Sequence, residues 1–249
     1  SMRSYKEGMM MQEQILEDEL RRIYGKKWKS FVRNNNQKNK KGEPTYVLDR
    51  KALDKAKQQL DNGEISTKEY RDVLGENARY LSQNEMAYYY NLYKDPKLRE
   101  SFRTTFGPEY ARIMDEIQSN LDPKVKEFAD WQVDVMYPAL YERYNEVYRS
   151  IYRTNMPWNE FYAGMVYRDG VEVETLNVLD ANSVYNTAVG AASTKARVQN
   201  DKAIKSMNNM NVMSTYLRDM EYFRAFGKTI RDIDKVFKNK QVADAITAV

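Results

Sequence analysis

Residues 123–153 read PKVKEFADWQVDVMYPALYERYNEVYRSIYR, and this stretch decides the fold. Trp131, Val135, Pro138, Tyr141, Tyr144, Tyr148 and Tyr152 recur every three or four positions. That spacing is one face of an α-helix, with Leu140, Val147 and Ile151 beside it. Asp122 before Pro123 is a strong start signal, because Asp can accept from a first-turn N–H and Pro lacks an N–H that would have no intrahelical acceptor. If Pro138 only kinks the helix, the arm runs about 45 Å at ~1.5 Å per residue. The flanking Lys, Arg, Glu and Asp supply a wet face. Trp131, Tyr141, Tyr144, Tyr148 and Tyr152 are therefore expected to be a structural aromatic face buried against other helices, with an exposed docking surface as the alternative.

Working back from this arm, the chain keeps a helical character. Gly107-Pro108 separates Phe106 from a run ending near Leu121. Asp95-Pro96 marks another break, and Ser82 with Glu85 forms a capping box ahead of Met86, Ala87, Tyr88, Tyr89, Tyr90, Leu92 and Tyr93. Asp49 to Leu60 carries Leu53, Ala56 and Leu60 near a helical period, Asn62-Gly63 turns the chain, and Ser66 with Glu69 opens the next helix. The first helix is expected from about Tyr5 to Tyr24, with Ile15, Leu20 and Ile23 on its apolar stripe and Gly25 as its stop.

Working forward, the pattern changes. Met165, Val166 and Tyr167, then Val171 and Val173, flank Asp169-Gly170, which predicts a short β-hairpin. A small-residue stretch from Thr187 to Ala196 and an Asn/Met-rich run follow. A final helix from Val212 to Phe237 carries an almost continuous apolar face, and Val242 to Ile246 is expected to dock as a last short element. The expected fold is mainly α, an elongated multi-helix bundle with a short β-hairpin insertion. Its expected organisation is an N-terminal helix (1–24), a basic connector (25–48), a helical scaffold holding the hairpin (49–175), a second connector (176–211) and a C-terminal helical element (212–249).

Twenty Tyr against 8 Phe and 3 Trp favour packing positions that also reach water or a polar partner. The net charge of +4 is not evenly spread. Residues 21–41 hold nine Lys or Arg and no acid, residues 1–20 sum to −3, and −2 is left for the remainder. Lys26, Lys27, Trp28, Lys29, Phe31 and Arg33, followed by Lys38, Lys40 and Lys41, form a candidate surface for nucleic acid or another acidic partner. The cations would contact phosphates while Trp28 or Phe31 stacked on a base. A solvated lysine- and asparagine-rich connector has the same composition.

The 249 residues include no Cys and no His, which excludes disulfides, thiol nucleophiles, Cys/His zinc sites and imidazole bases. No GxGxxG or GxxxxGK[ST] loop is present. Ser193 with Lys195 or Lys202 lacks the SxxK pattern, and Glu109, Asp115 and Glu116 read as solvated or paired with Arg112. Asp169, Glu172 and Glu174 are hard-metal donor types without the spacing of a calcium loop. No catalytic residue, metal or cofactor is assigned, and no run of about 18 apolar residues predicts a transmembrane span.

AASTKARVQNDKAI (191–204) and YLRDMEYFRAFGKTIRDIDKVFKNKQVADAI (216–246), together with NMPWNEFY (155–162), resemble helical regions of very large phage or mobile-element polyproteins. Such regions belong to virion-internal or co-delivered multidomain proteins, sometimes beside polymerase or nuclease domains. The resemblance implies a scaffold or interaction segment in a virion or host cytoplasm, partnered by another protein or by neighbouring domains of a larger chain. It carries over no activity, and the oligomeric state is left open. The expectation is a non-catalytic structural or interaction module. The alternatives are a nucleic-acid-binding accessory domain that takes DNA or RNA and a magnesium-dependent nucleic-acid-processing enzyme.

Overall fold

The computed structural model of the chain describes residues 1–36, 46–47, 50–70, 80–158, 160, 204 and 207–237. The N-terminal helix α1 (Met2–Tyr24) passes through one 3-10 turn, Gly25–Lys27, into α2 (Trp28–Asn36). Strand β1 (Tyr46–Val47), helix α3 (Arg50–Asp61) and strand β2 (Tyr80–Leu81) come next. Helices α4 (Gln83–Tyr93), α5 (Arg99–Phe106), α6 (Tyr110–Asn120) and α7 (Pro123–Trp131) lead to α8 (Tyr137–Tyr152), and α9 (Asn209–Phe237) closes the described chain.

The boundaries follow from local chemistry. Ser82 Oγ accepts from the Glu85 N–H while the Glu85 carboxylate accepts from the Ser82 N–H, so both start α4. Asp122 accepts from the Lys124 N–H at 2.8 Å and Pro123 occupies the first turn of α7. Gly25 and Gly107 end α1 and α5 at positive φ, where a side chain would be strained. Asn208 accepts from the N–H groups of Met210 and Asn211. It therefore starts α9 three residues before the expected Val212, inside the run read as connector.

Between α7 and α8 the helix widens instead of breaking. Residues Gln132–Met136 form a π-helical turn, and the Tyr137 N–H donates to Gln132 O, five residues back. Pro138 lacks an N–H and would crowd the carbonyl four residues earlier, and one extra residue in the turn absorbs that conflict. The extra residue also rotates the stripe. Val133, Met136 and Tyr137 turn inward, while Val135, expected on the apolar face, is 53% exposed.

Two packed cores result. The first gathers Leu81, Met86, Tyr88, Tyr89, Leu92, Leu98, Phe102, Met114, Ile117 and neighbours around α4, which is buried on most sides. The second gathers Leu16, Leu20, Met136, Leu140, Tyr144, Leu217, Met220 and Phe223 between α1, α8 and α9. Helix α7 joins them, giving Val125 and Ala129 to the first core and Phe128 to the second.

Three expectations need correction. The described residues do not form a bundle with a hairpin insertion. They form a helical bundle whose one extended pairing, among the described residues, is a two-residue ladder matching Tyr46 with Leu81 and Val47 with Tyr80. This pairing joins distant segments and is not a hairpin, and 165–174, where the hairpin was expected, lies outside the described residues. The segment read as a basic connector contains α2. On α1 the buried face is Gly8, Gln12, Leu16, Leu20 and Ile23, leaving Ile15 40% exposed.

Candidate functional site

The basic segment acquires its form from α2. Lys26 and Lys27 are exposed on the 3-10 turn, and Lys29 and Arg33 are exposed on the helix. None of the four has an ion-pair partner among the described residues. The aromatic residues beside them are differently employed. Trp28 is half-buried against the second core, with Lys29 Nζ 5.4 Å from its ring centroid. Phe31 stacks on Tyr24 with centroids 5.5 Å apart, and Lys124 Nζ lies 5.6 Å from the Phe31 ring. Tyr24 is itself buried and accepts from Asn35, and burial pushes its phenol up to about 12. The four cations thus face solvent, while the Phe31 ring is engaged by Tyr24 and Lys124. Lys38, Lys40 and Lys41 lie outside the described residues.

The aromatic stripe meets α9 and the chain that follows α8. Tyr144 is fully buried, and its ring lies edge-on to Tyr216 at 6.2 Å. Tyr148 contacts Phe223 at 6.3 Å and Tyr152 at 4.5 Å. Trp131 is half-buried and stacks on Phe128. The Tyr141 hydroxyl donates to Met156 O at 2.7 Å while its ring lies 4.5 Å from Trp158, which is 47% exposed.

A charged junction that sequence reasoning missed lies under this stripe. Glu221, on α9, has no exposed surface. Its Oε1 accepts from Arg143 Nε at 2.7 Å and from the Tyr144 hydroxyl at 3.0 Å. Its Oε2 accepts from Arg224 Nε at 2.6 Å and from Arg143 Nη2 at 3.3 Å. Arg224 Nη2 continues to Ser4 O on α1 at 2.6 Å. Helix α1 approaches closely because Gly8 faces the carboxylate, and a Cβ there would overlap Glu221 and sit 2.9 Å from its Cδ. Burial alone would raise the Glu221 pKa, but the two guanidinium groups outweigh it and hold the carboxyl below its ordinary value. Burial and the adjacent carboxylate raise the Tyr144 phenol. The signal in the sequence is weak, since Arg143 and Glu221 are 78 positions apart.

Two further polar clusters join elements. Asp130 accepts from the Tyr90 hydroxyl at 2.6 Å, Lys94 at 2.8 Å and Lys126 at 3.0 Å. Burial opposes its ionisation, yet these donors keep its pKa below the ordinary value. Gln132, turned inward by the π turn, accepts from Asn91 at 3.2 Å and Asn209 at 2.6 Å, tying α4 to the start of α9. On the surface, Arg112 pairs with Glu109 at 3.1 Å and Glu116 at 3.5 Å.

Among the described residues no three carboxylates converge on a metal-sized site, and Asp169, Glu172 and Glu174 lie outside them. No described helix is long and apolar enough to cross a membrane. No protein-family model, curated protein or solved structure matches the chain.

Proposed function

We propose that the chain is a non-catalytic structural and interaction module, holding neighbouring domains of a larger protein or a separate partner protein in fixed relation. The observation that supports this reading is the Glu221 junction. One buried carboxylate uses both oxygens to tie α8 to α9, and through Arg224 it reaches α1. Such a fully engaged carboxylate suits a rigid frame better than proton transfer, which needs a group free to change partners. The sequence resemblance supplies the context, a virion-associated or co-delivered multidomain protein of a phage or mobile element, in the virion or the host cytoplasm.

Turnover is the test. Incubation of the full chain with single- and double-stranded DNA and RNA in magnesium is expected to leave every substrate intact. Metal-dependent cleavage that disappears when a pair of Asp or Glu residues is replaced would overturn the scaffold reading in favour of a magnesium-dependent nucleic-acid-processing enzyme.

A second reading, a nucleic-acid-binding accessory domain, is favoured by one observation: Lys26, Lys27, Lys29 and Arg33 are exposed on one turn and one helix without acidic partners among the described residues. Binding through them falls steeply with salt, because each phosphate contact releases a counterion. Neutralising all four is expected to abolish salt-sensitive binding to a single-stranded oligonucleotide and to leave the helical circular dichroism unchanged. Unchanged binding removes this reading.

A further inference from the structure

A second concentration of positive charge lies far along the chain from the basic N-terminal segment. Arg224, Lys228, Arg231 and Lys235 follow one another at spacings of four, three and four, so they share one face of α9. Arg224 is held by Glu221 and Ser4. The other three have no ion-pair partner among the described residues. They line a cavity of about 310 Å³ with Arg153 and Ser150 from the end of α8, and among the described residues Asp232 is its one acidic member. A shallower depression beside it shares Ser150 and Arg153 and adds Arg149 and Glu146.

Three features of the backbone and side chains build this cavity. Gly227 lets the helices approach, since a Cβ at that position would come 3.1 Å from Ile151 Cδ1. Arg153 ends α8 in the left-handed region, φ 62° and ψ 19°, where glycine is the usual occupant. The one non-glycine residue at positive φ among the described residues is therefore a cation that lines the cavity. Arg231 lies over the Tyr152 ring at 4.9 Å, and its Nη1 is shut off from solvent with no hydrogen-bond acceptor among the described residues. A guanidinium nitrogen so placed lacks an acceptor that nearly every buried donor has.

The ordinary explanation is complementation of the α8 C-terminus, whose free carbonyls carry about half a negative charge. Among the described residues, four cations against one carboxylate exceed that requirement. None of Lys228, Arg231 or Lys235 hydrogen-bonds those carbonyls, and two of the three sit more than one turn from the end of their own helix. The cavity is also of small-ligand size, at the low end of about 300–1,000 Å³, and too small for a folded partner.

We infer that this cavity is an anion site that takes a phosphate group, held by Arg153, Lys228, Arg231 and Lys235. Guanidinium groups suit the ligand because their fixed fork matches phosphate oxygens, and lysines add point charge. The phosphate can come from a small molecule or from the 5′ end of a nucleic-acid strand. The inference stands apart from the scaffold reading, because a rigid frame can carry such a site or lack it.

The test uses the full chain in isothermal titration calorimetry at physiological ionic strength. The probes are pyrophosphate and a single-stranded oligonucleotide with and without a 5′ phosphate. Saturable binding of pyrophosphate or of the 5′-phosphorylated strand alone is expected, and which of them binds identifies the source. Arg153→Gly removes the guanidinium yet suits the left-handed backbone, so it is expected to weaken binding roughly tenfold or more with Tm unchanged or raised. Lys228→Gln, at an exposed position, is expected to act in the same direction. Neutralising Lys26, Lys27, Lys29 and Arg33 together is expected to leave this binding intact. The inference is overturned if no probe binds saturably, if the strand binds equally without its 5′ phosphate and pyrophosphate does not, or if Arg153→Gly and Lys228→Gln bind as the unaltered chain does.

Discussion

The two cores are similar in apolar character and opposite in assembly. The core around α4 is built almost entirely from residues 81–129, with Ile204 and Val212 as its distant members. Its helices are short, and α4, α5 and α7 are each started or stopped by a local signal, so neighbours in sequence become neighbours in space. The core between α1, α8 and α9 instead draws Leu16, Leu140 and Phe223 from three remote parts of the chain. No local signal can bring those together. Its precision comes from a buried carboxylate with two arginines, and from a glycine on the facing helix that leaves room for them. The difference teaches that the local core is secured by capping and side-chain volume, and the distant core by charge and close approach.

The largest effects should separate these two modes. Glu221→Gln keeps the shape but leaves Arg143 and Arg224 without their counter-charge, which is expected to cost about 3–5 kcal/mol in urea unfolding at neutral pH. In the local core Phe102→Ala removes a fully buried ring and is expected to cost a similar ~3–5 kcal/mol. Acid distinguishes them. Glu221 has a native pKa below its unfolded value, so its stabilisation is fully present above the ordinary carboxylate range and is lost as pH falls through the lowered native value. The unaltered chain and Phe102→Ala should both lose stability on acidification through that window. Glu221→Gln should lose distinctly less, the remainder coming from other carboxylates such as Asp130. Equal acid sensitivity in all three would place the linkage elsewhere.

Gly8→Ala should have the next largest effect. Alanine is a better helix former than glycine by about 1 kcal/mol, so on an open face this change would stabilise α1. Facing Glu221, the added methyl must push the carboxylate off its arginines, and the expected outcome is a net loss of about 1–3 kcal/mol. Urea midpoints decide the sign, and a stabilised variant would mean that α1 does not approach α9 as closely as the Gly8 geometry requires.

The same contrast explains what could be read from the amino acids alone. Ser82 with Glu85, Asp122 with Pro123, and Gly107 act within one turn of their own position, so their types and spacing carry the message. On α1 the true buried stripe includes Gly8 and Gln12, which no apolar count selects, and Ile15 drew the expected stripe one position away. The rotation at Val135 needs the π turn, and that turn is a response to Pro138 which spacing alone does not specify. Lys26 to Arg33 could be named from their charge, but α2 hid in a polar run. The Glu221 junction and the Arg153 cavity depend on α8 meeting α9, and residues 78 apart in sequence give no periodic sign of that contact.

The smallest effect tests whether the two cores act as one. Ser82→Ala removes the hydroxyl that accepts from the Glu85 N–H and is expected to cost about 1 kcal/mol, with direct damage confined to the first turn of α4. If the cores unfold separately, amide hydrogen exchange should quicken in α4 to α6 and remain unchanged in α8 and most of α9. The shared elements argue for the other outcome. Helix α7 packs Val125 and Phe128 into different cores, and Gln132 is hydrogen-bonded to Asn91 on one side and Asn209 on the other. Opening α4 globally therefore removes partners from the start of α9. The slowest-exchanging amides of both cores are expected to lose the same protection, about fivefold for ~1 kcal/mol, whereas a loss confined to residues 83–120 would make them two cooperative units joined by a common helix.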